Sequence, residues 1–159
     1  MTELMPGTFA PDFTLPTDSG GEITLSSLRG RKVVLFFYPK DDTPGCTTEA
    51  CGFRDALAQF DFLKVKVIGL SKCSPRKHDR FKTKYGLNFP LASDETGHVC
   101  EKYDVIQEKA MFGRKYMGIE RSTFLIDEQG RIEQIWRNVS VPGHVEAVRS
   151  ALTANRIAA

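Results

Sequence analysis

The apolar residues of this 159-residue chain follow two kinds of pattern, continuous runs and regularly spaced positions. Residues 33–38 and 65–70 are nearly continuous apolar runs, which are typical of buried strands. Between the two runs, apolar residues recur at the spacing that places them on one face of a helix. They are Ala50, Phe53, Leu57 and Phe60. The pattern therefore predicts a buried strand, an amphipathic helix and a second buried strand.

A second helix is predicted directly after the second strand. Ser74 and Pro75 suit its N-cap and its first turn, and Gly86 suits its end. One face of this helix is expected to carry His78, Phe81 and Tyr85, which recur at helical spacing.

Both ends of the chain carry hairpin signals. Residues 13–15 and 22–25 are short strand-like segments separated by an Asp-Ser-Gly-Gly turn, which predicts an N-terminal hairpin. Residues 122–126 and 131–136 predict another pair of strands joined by a turn. A final helix is expected after Pro142, with its inward positions at Val145, Val148 and Leu152.

The order of these elements indicates the fold class. Residues 98–103 predict a short helix, and residues 106–118 hold few strong signals and are expected to form a loop. Strands alternate with helices and the chain then closes with a hairpin and a helix. This order predicts an α/β fold with a central mixed sheet, helices on both faces and an N-terminal β-hairpin. Since repeats, low-complexity tracts and linkers are absent from the sequence, residues 1–159 are expected to form a single domain.

Composition and charge argue against several kinds of partner. The chain has 22 basic and 20 acidic residues, and its net charge of +2 indicates neither nucleic acid nor an anionic membrane. No apolar stretch is long enough to span a bilayer, and the first residues do not resemble a secretion signal. We therefore expect a cytoplasmic protein, whose four cysteines are reduced, catalytic or metal-bound.

Cys46 lies where the first buried strand leads into the first helix. Backbone N–H groups in the first turn of a helix have no intrahelical partner, and the helix dipole favours negative charge there. A thiol in this position should ionise more readily than a free thiol, and the thiolate is the reactive form. Cys46 is therefore a candidate nucleophile, the alternative being a buried cysteine that only packs.

Three residues near Cys46 could form a small binding site. Thr43 suits the N-cap, and its hydroxyl can both donate and accept a hydrogen bond to an oxygen-bearing substrate. Gly45 would allow a tight turn and keep a side chain away from the sulfur. Pro39 would fix the backbone at the strand exit and shield the site from water. Each residue is also common in ordinary loops, but their combination with two cysteines favours a reactive thiol.

Cys51 follows Cys46 by five residues. On an ideal helix this spacing separates the two Cα atoms by roughly 8–9 Å, whereas a disulfide needs Cα atoms within about 7 Å of each other. If the two cysteines ever bond, part of the helix must unwind. The spacing fits an attacking cysteine with a partner that local melting releases, and it fits a buried helix residue equally well.

The residues around Cys46 resemble the active-site pattern Pro-x-x-x-Thr-x-x-Cys of the peroxiredoxins. Its fixed positions are Pro39, Thr43 and Cys46. The longer stretch of residues 37–51 resembles the bacterioferritin comigratory protein (PrxQ) class of that family, and the similarity covers nearly the whole chain. Further matching stretches are residues 69–71, 81–85, 91–94 and 121–127.

This resemblance implies a thioredoxin-like fold and reduction of hydrogen peroxide and organic hydroperoxides, without a metal or an organic cofactor. It implies that Cys46 is the peroxidatic cysteine, which becomes a sulfenic acid, and that Cys51 resolves it as an intramolecular disulfide. Pro39, Thr43 and Arg121 would complete the pocket. The electrons would come from thioredoxin or a similar dithiol, and the class is often monomeric, so a monomer is expected.

The remaining cysteines and histidines leave alternatives open. Cys73 is expected to be exposed and is a rival resolving residue, whereas Cys100 is expected to pack in the core. A zinc site would combine cysteines with histidines, but the paired spacing typical of such sites is absent. The histidines concerned are His78, His98 and His144. A thiol–disulfide exchange protein acting on protein substrates is the second functional hypothesis, although its usual Cys-x-x-Cys is missing.

Overall fold

The computed structural model describes residues 3–158, and the side chains of residues 3–154. Strands and helices alternate from residue 32 to residue 102, and four consecutive strands then precede the last helix. The strands are β1 (Thr14–Pro16), β2 (Glu22–Thr24), β3 (Lys32–Phe37), β4 (Val65–Ser71), β5 (Leu91–Ser93), β6 (Ile106–Met111), β7 (Arg114–Ile119), β8 (Ser122–Ile126) and β9 (Ile132–Trp136). The helices are α1 (Pro44–Phe62), α2 (Pro75–Tyr85), α3 (His98–Lys102) and α4 (His144–Ala158).

The central sheet has five strands in the order β5-β4-β3-β8-β9. Strand β3 pairs in parallel with β4, and β4 in parallel with β5, whereas β3–β8 and β8–β9 are antiparallel. Strands β1 and β2 form the expected N-terminal hairpin. The predicted α/β fold with a mixed sheet is confirmed.

The central strand β3 and the residue after it contribute to two separate cores. Successive side chains of a strand point to opposite faces of the sheet, so a continuous apolar run fills both. One face carries Val33, Leu35 and Phe37, and the other carries Val34, Phe36 and Tyr38. Helices α1, α2 and α4 pack on the second face, whereas α3 packs on the first. Helices therefore cover both faces of the sheet.

The antiparallel pairing of β3 with β8 determines which segments meet at one end of the sheet. Phe37, at the end of β3, lies opposite Ser122, at the start of β8. The chain continues from β3 through residues 39–43 into α1, so the N-terminus of α1 comes close to the residue that precedes β8. That residue is Arg121.

The expectation that residues 106–118 form a loop is wrong. They form most of an antiparallel hairpin, in which β6 pairs with β7 over six residue pairs. Phe112 and Gly113 at its tip have positive φ values of 53° and 77°, as in the two-residue turns of tight hairpins. A phenylalanine is not the usual sequence signal for this turn, and the exposed strands lack a buried apolar run. The short strand β5 is a further element that the hydrophobic pattern did not reveal.

None of the helices within residues 3–158 combines the length and apolar character needed to cross a membrane.

Candidate active site

The N-terminus of α1 presents the Cys46 sulfur beside free backbone donors. Thr43 is the N-cap in an extended conformation, and Pro44 is the first helical residue. The N–H of Thr47 donates to the carbonyl of Thr43 at 2.8 Å, which is the first bond within the helix. The N–H groups of Gly45 and Cys46 precede this bond, so they have no acceptor within the helix. They are available to a bound oxygen atom.

The Thr43 side chain does not cap α1. Its hydroxyl donates to the carbonyl oxygen of Lys40 at 2.8 Å. The hydroxyl proton is thus already used, and the expectation that Thr43 can donate to a substrate does not fit this arrangement. The oxygen retains its capacity to accept a hydrogen bond from a substrate O–H.

Arg121, the residue directly before β8, contacts the Cys46 sulfur. Its Nη2 donates to Cys46 Sγ at 3.4 Å, and its Nη1 donates to Glu49 Oε1 at 2.7 Å. Burial alone would lower the pKa of the guanidinium, but the charges of Glu49 and Cys46 outweigh it and raise the pKa. A permanently charged group next to a thiol favours the thiolate.

Gly45 allows the guanidinium to approach the helix. A Cβ atom at this position would lie 3.1 Å from Arg121 Nη2, tighter than ordinary contact. Gly45 lies in the first turn of α1 and is absent from the residues with positive φ, so no tight turn requires a glycine here. The close approach of Arg121 is therefore the better explanation of this glycine.

Glu49 is a buried site residue that the sequence reasoning missed. Its side chain is fully buried, and its Oε2 has no hydrogen-bond partner among the described residues. Burial raises the pKa of Glu49 from 4.5 to about 7, against the opposing effect of Arg121. Its position three residues after Cys46, on the same side of α1, was the signal that could have identified it.

Replacing Glu49 with glutamine is expected to change how stability depends on pH. Because the folded state raises the pKa of Glu49, the native protein favours the protonated carboxyl, and this stabilisation is lost as the pH rises from 4.5 through about 7. Glutamine does not titrate and can still accept from Arg121. The free energy of unfolding of Glu49→Gln, relative to the parent, should therefore increase on the order of 3 kcal/mol between pH 4.5 and pH 8.

Urea unfolding of both reduced proteins at a series of pH values measures this difference. Titrating groups that do not interact with Glu49 or with its partner Arg121 cancel in the comparison. Parallel stability curves from pH 4.5 to pH 8 would show that Glu49 does not titrate in this range.

Pro39 and Arg121 line an open cavity of about 280 Å³ at the base of the β6–β7 hairpin. Gln107 and Lys109 from β6 also line this cavity. Burial and the charge of Arg121 lower the pKa of Lys109, whereas Cys46 and Glu120 oppose this shift. The hairpin thus adds a second cation to the electrostatic surroundings of Cys46.

The four thiols are free and have different surroundings. Cys46 is 2% exposed, whereas Cys51 is half-buried on the same intact helix. The expectation that Cys73 is exposed is wrong, because it is buried and its Sγ accepts a hydrogen bond from the N–H of Asp41. Cys100 is fully buried, and burial and its hydrogen bond to Asp94 raise its pKa far above that of an ordinary thiol.

Two of the three histidines are buried and hydrogen-bonded. His78 pairs with Asp41, and His144 Nε2 lies 2.8 Å from Thr123 Oγ1. Burial, with a smaller effect of Arg121, lowers the pKa of His144 to about 4. In the described part of the chain, no group of three or more His, Cys, Asp or Glu side chains is arranged to hold a metal ion.

Comparison with known proteins shows which family the chain is similar to. Residues 6–135 match the AhpC/TSA family. A putative peroxiredoxin bcp from Coxiella burnetii is 56% identical over 142 residues, covering 89% of this chain and 94% of that protein. The structure of a cysteine-to-serine mutant of PrxQ from Xylella fastidiosa superposes with a TM-score of 0.92 at 40% identity, covering 98% of this chain and 99% of the other.

A third relative has been studied with a trapped intermediate and ligand. This Xanthomonas campestris bacterioferritin comigratory protein, described for its alkyl peroxide reduction activity, is 44% identical with a TM-score of 0.87. The match covers 98% of both chains. The thioredoxin-like fold that the sequence resemblance implies is confirmed by these structures.

Proposed function

The chain belongs to the AhpC/TSA family and is a thiol-dependent peroxidase, and on this premise we propose that Cys46 is the residue that attacks the hydroperoxide. The observation that carries this proposal is the Arg121 guanidinium, which donates to the Cys46 sulfur and to the buried Glu49. The other three cysteines have no guanidinium hydrogen-bonded to the sulfur among the described residues.

The geometry supports a direct displacement at a peroxide oxygen. The Cys46 thiolate forms an S–O bond while the O–O bond breaks, and the leaving oxygen takes a proton to become water or an alcohol. Negative charge therefore develops on the leaving oxygen. Arg121 and the Cys46 N–H are fixed donors that can stabilise this charge without reorganising. Thr43 Oγ1 can accept a hydrogen bond from the O–H of the peroxide, because its own hydroxyl proton is donated to the carbonyl oxygen of Lys40.

We propose that Cys51 resolves the sulfenic acid left on Cys46. The Cys51 thiol displaces the hydroxyl of the sulfenic acid, so that an S–S bond forms and water leaves. Both cysteines lie within α1, whose regular geometry holds their Cα atoms too far apart for a disulfide. Resolution therefore requires the first turns of α1 to unwind.

The hairpin β6–β7 supports activity on organic hydroperoxides as well as on hydrogen peroxide. Its base lines the cavity beside Pro39 and Arg121, and its outer part exposes large apolar side chains. These side chains are Met111, Phe112, Tyr116 and Met117. We propose that they contact the organic part of larger substrates.

Several features complete the proposal. Thioredoxin or a similar dithiol would reduce the Cys46–Cys51 disulfide by thiol–disulfide exchange. Unwinding of α1 would expose this disulfide to attack by a thiolate. We further propose that residues 1–159 act as one domain, as a monomer and in the cytoplasm, as the sequence pattern and the resemblance to the PrxQ class indicate.

The test is peroxide-dependent consumption of a reductant by the wild-type protein. With thioredoxin, thioredoxin reductase and NADPH, we expect NADPH oxidation to follow each addition of hydrogen peroxide or cumene hydroperoxide. Mass spectrometry of the peroxide-treated protein should show the Cys46–Cys51 disulfide. NADPH oxidation that depends on an added protein disulfide and not on peroxide would instead support the thiol–disulfide exchange hypothesis.

Replacing Arg121 with methionine is expected to lower kcat/KM for hydrogen peroxide by about 100- to 1,000-fold, the usual effect of losing a fixed donor in a transition state. Methionine preserves much of the side-chain volume but removes both hydrogen bonds. Lysine should restore only part of the rate, because one ammonium cannot hold Glu49 and Cys46 in the same two-pronged geometry. Steady-state kinetics measures the effect.

Arg131→Met is the matched control, since this arginine donates to the Gly7 carbonyl and stacks on Phe9 away from the cavity. We expect its kcat/KM to stay within about twofold of wild type. If kcat/KM falls equally in Arg121→Met and Arg131→Met, Arg121 has no specific role in the proposed site.

A further inference from the structure

A buried network of three side chains lies beside the loop of residues 39–43. Tyr38 OH donates to Asp41 Oδ1 at 2.5 Å, and His78 Nδ1 lies 2.6 Å from Asp41 Oδ2. His78 Nε2 lies 3.0 Å from the carbonyl oxygen of Ala92 in β5. All three side chains are buried, and that of His78 is fully inaccessible.

The partners determine where the protons of this network lie. The Ala92 carbonyl can only accept, so His78 Nε2 carries a hydrogen and donates it. A second proton must lie between His78 Nδ1 and Asp41 Oδ2, because two lone pairs would repel at this distance. Every polar atom of the network thus has a partner, and Asp41 is held through both of its oxygens. An unpaired buried carboxylate would be strongly unfavourable here.

Cys73, two residues before α2, and two residues of α2 itself also bind the loop, at Asp41 and Asp42. The N–H of Asp41 donates to Cys73 Sγ at 3.4 Å. At the next residue, Lys84 Nζ and Tyr85 OH donate to the two carboxylate oxygens of Asp42, at 2.8 and 2.6 Å. Asp42 has a positive φ of 56°, an unusual conformation for a residue other than glycine. These contacts attach the loop to α2.

The same loop carries two of the residues assigned to the peroxide pocket. Pro39 follows Tyr38 directly, and Thr43 follows Asp42 directly. We propose that His78 is a positioning residue for peroxide reduction: by holding Asp41 it keeps Pro39 and Thr43 in place next to the N-terminus of α1, which carries Cys46. This inference rests on the proposed function of Cys46 and assigns a catalytic consequence to a residue that does not touch the substrate.

Because the loop of residues 39–43 is attached to α2, its position affects the attack on peroxide but not the later formation of the disulfide. Disulfide formation unwinds the first turns of α1, whereas His78, Lys84 and Tyr85 hold the loop from another helix. The attack on peroxide depends on the position of Thr43, because a displacement of about 1 Å can cost on the order of 100-fold in rate. Resolution by Cys51 does not use Thr43. Loss of His78 should therefore slow the first step selectively.

The test compares His78→Ala with Lys82→Ala, both in a Cys51→Ser background so that only the first step is observed. Lys82 lies on the same helix, but its Nζ donates to Asp18 Oδ2 at 2.7 Å, away from the loop. Stopped-flow measurement gives the rate constant of Cys46 with hydrogen peroxide. Mass spectrometry of the Cys46 peptide gives its alkylation rate with iodoacetamide, a reagent that does not need Thr43 or Pro39.

For His78→Ala we expect the peroxide rate constant to fall at least about tenfold while the iodoacetamide rate changes less than about threefold. Lys82→Ala should keep both rates within about twofold of its parent. If peroxide and iodoacetamide rates fall in parallel, or if Lys82→Ala loses as much peroxide reactivity as His78→Ala, the role of His78 is only structural and the proposal is wrong.

A second variant covers the case in which His78→Ala fails to fold. His78→Gln keeps a donor that can reach Asp41 but cannot serve Asp41 and Ala92 together. We expect a peroxide-to-iodoacetamide rate ratio at least about threefold below that of the parent, and above that of His78→Ala where both fold. An unchanged ratio overturns the proposal. If Cys46 of the parent itself does not react with peroxide, the proposed function fails instead, so the two failures are distinguishable.

Discussion

Replacing Cys46 with serine is expected to reduce peroxide turnover to the uncatalysed background. A serine hydroxyl remains protonated where a thiolate would form, and a weakly polarisable oxygen is a poor nucleophile toward a peroxide. The substitution is small, and the serine oxygen can still accept a hydrogen bond from Arg121. The fold should therefore be retained, and the loss should appear in kcat and not in stability. Peroxide consumption with an excess of dithiol measures the effect.

Cys100→Ser is the matched control for this variant. Cys100 is buried in the core on the other face of the sheet, and its raised pKa keeps the thiol protonated. We expect peroxide turnover within about twofold of wild type. Turnover by Cys46→Ser, or dimedone labelling of Cys73 or Cys100 in the peroxide-treated wild-type protein, would show that the attacking sulfur is not Cys46.

Cys51→Ser is expected to reduce one equivalent of peroxide per chain and then stop. Cys46 can still attack, but its sulfenic acid has no neighbouring thiol with which to condense, so no disulfide forms for thioredoxin to reduce. We expect steady-state turnover with thioredoxin to fall at least about 100-fold, while the first turnover keeps its rate. Dimedone trapping followed by mass spectrometry should place the sulfenic acid on Cys46.

Circular dichroism adds a conformational measurement to the same experiment. Peroxide-treated wild-type protein should lose helical signal, because a Cys46–Cys51 bond requires α1 to unwind, whereas oxidised Cys51→Ser should retain it. An unchanged far-UV spectrum on disulfide formation would contradict the unwinding. Continued turnover of Cys51→Ser that stops only when Cys73 is also replaced would assign resolution to Cys73.

Much of the fold could be predicted from sequence because it depends on local patterns. The apolar run at residues 33–38 and the spaced positions of α1 are properties of single segments, and burial of those segments confirmed them. The hairpin at residues 106–119 was missed because its strands are largely exposed and an unusual Phe112-Gly113 turn joins them. A periodic pattern of apolar residues marks a segment that buries one face, and the strands of this hairpin bury few side chains.

Within the candidate site, local position was predictable but partners were not. Thr43 is at the N-cap and Cys46 is in the first turn of α1, as expected. However, the Thr43 hydroxyl donates to Lys40, and Cys73 is buried against Asp41. A residue type shows what a side chain can bond to, but only the folded backbone shows which partner lies within reach.

The sequence alone determined that this is an α/β protein with a cysteine at a strand–helix junction, because helix and strand periodicity and helix-start signals act over a few residues. Only the tertiary structure decided that Arg121, 75 residues from Cys46, reaches its sulfur and that Glu49 is the second partner of Arg121. The physical reason is the antiparallel register of β3 and β8, which brings Ser122 opposite Phe37. Strand order and register arise from the packing of the whole sheet, and no single segment contains them.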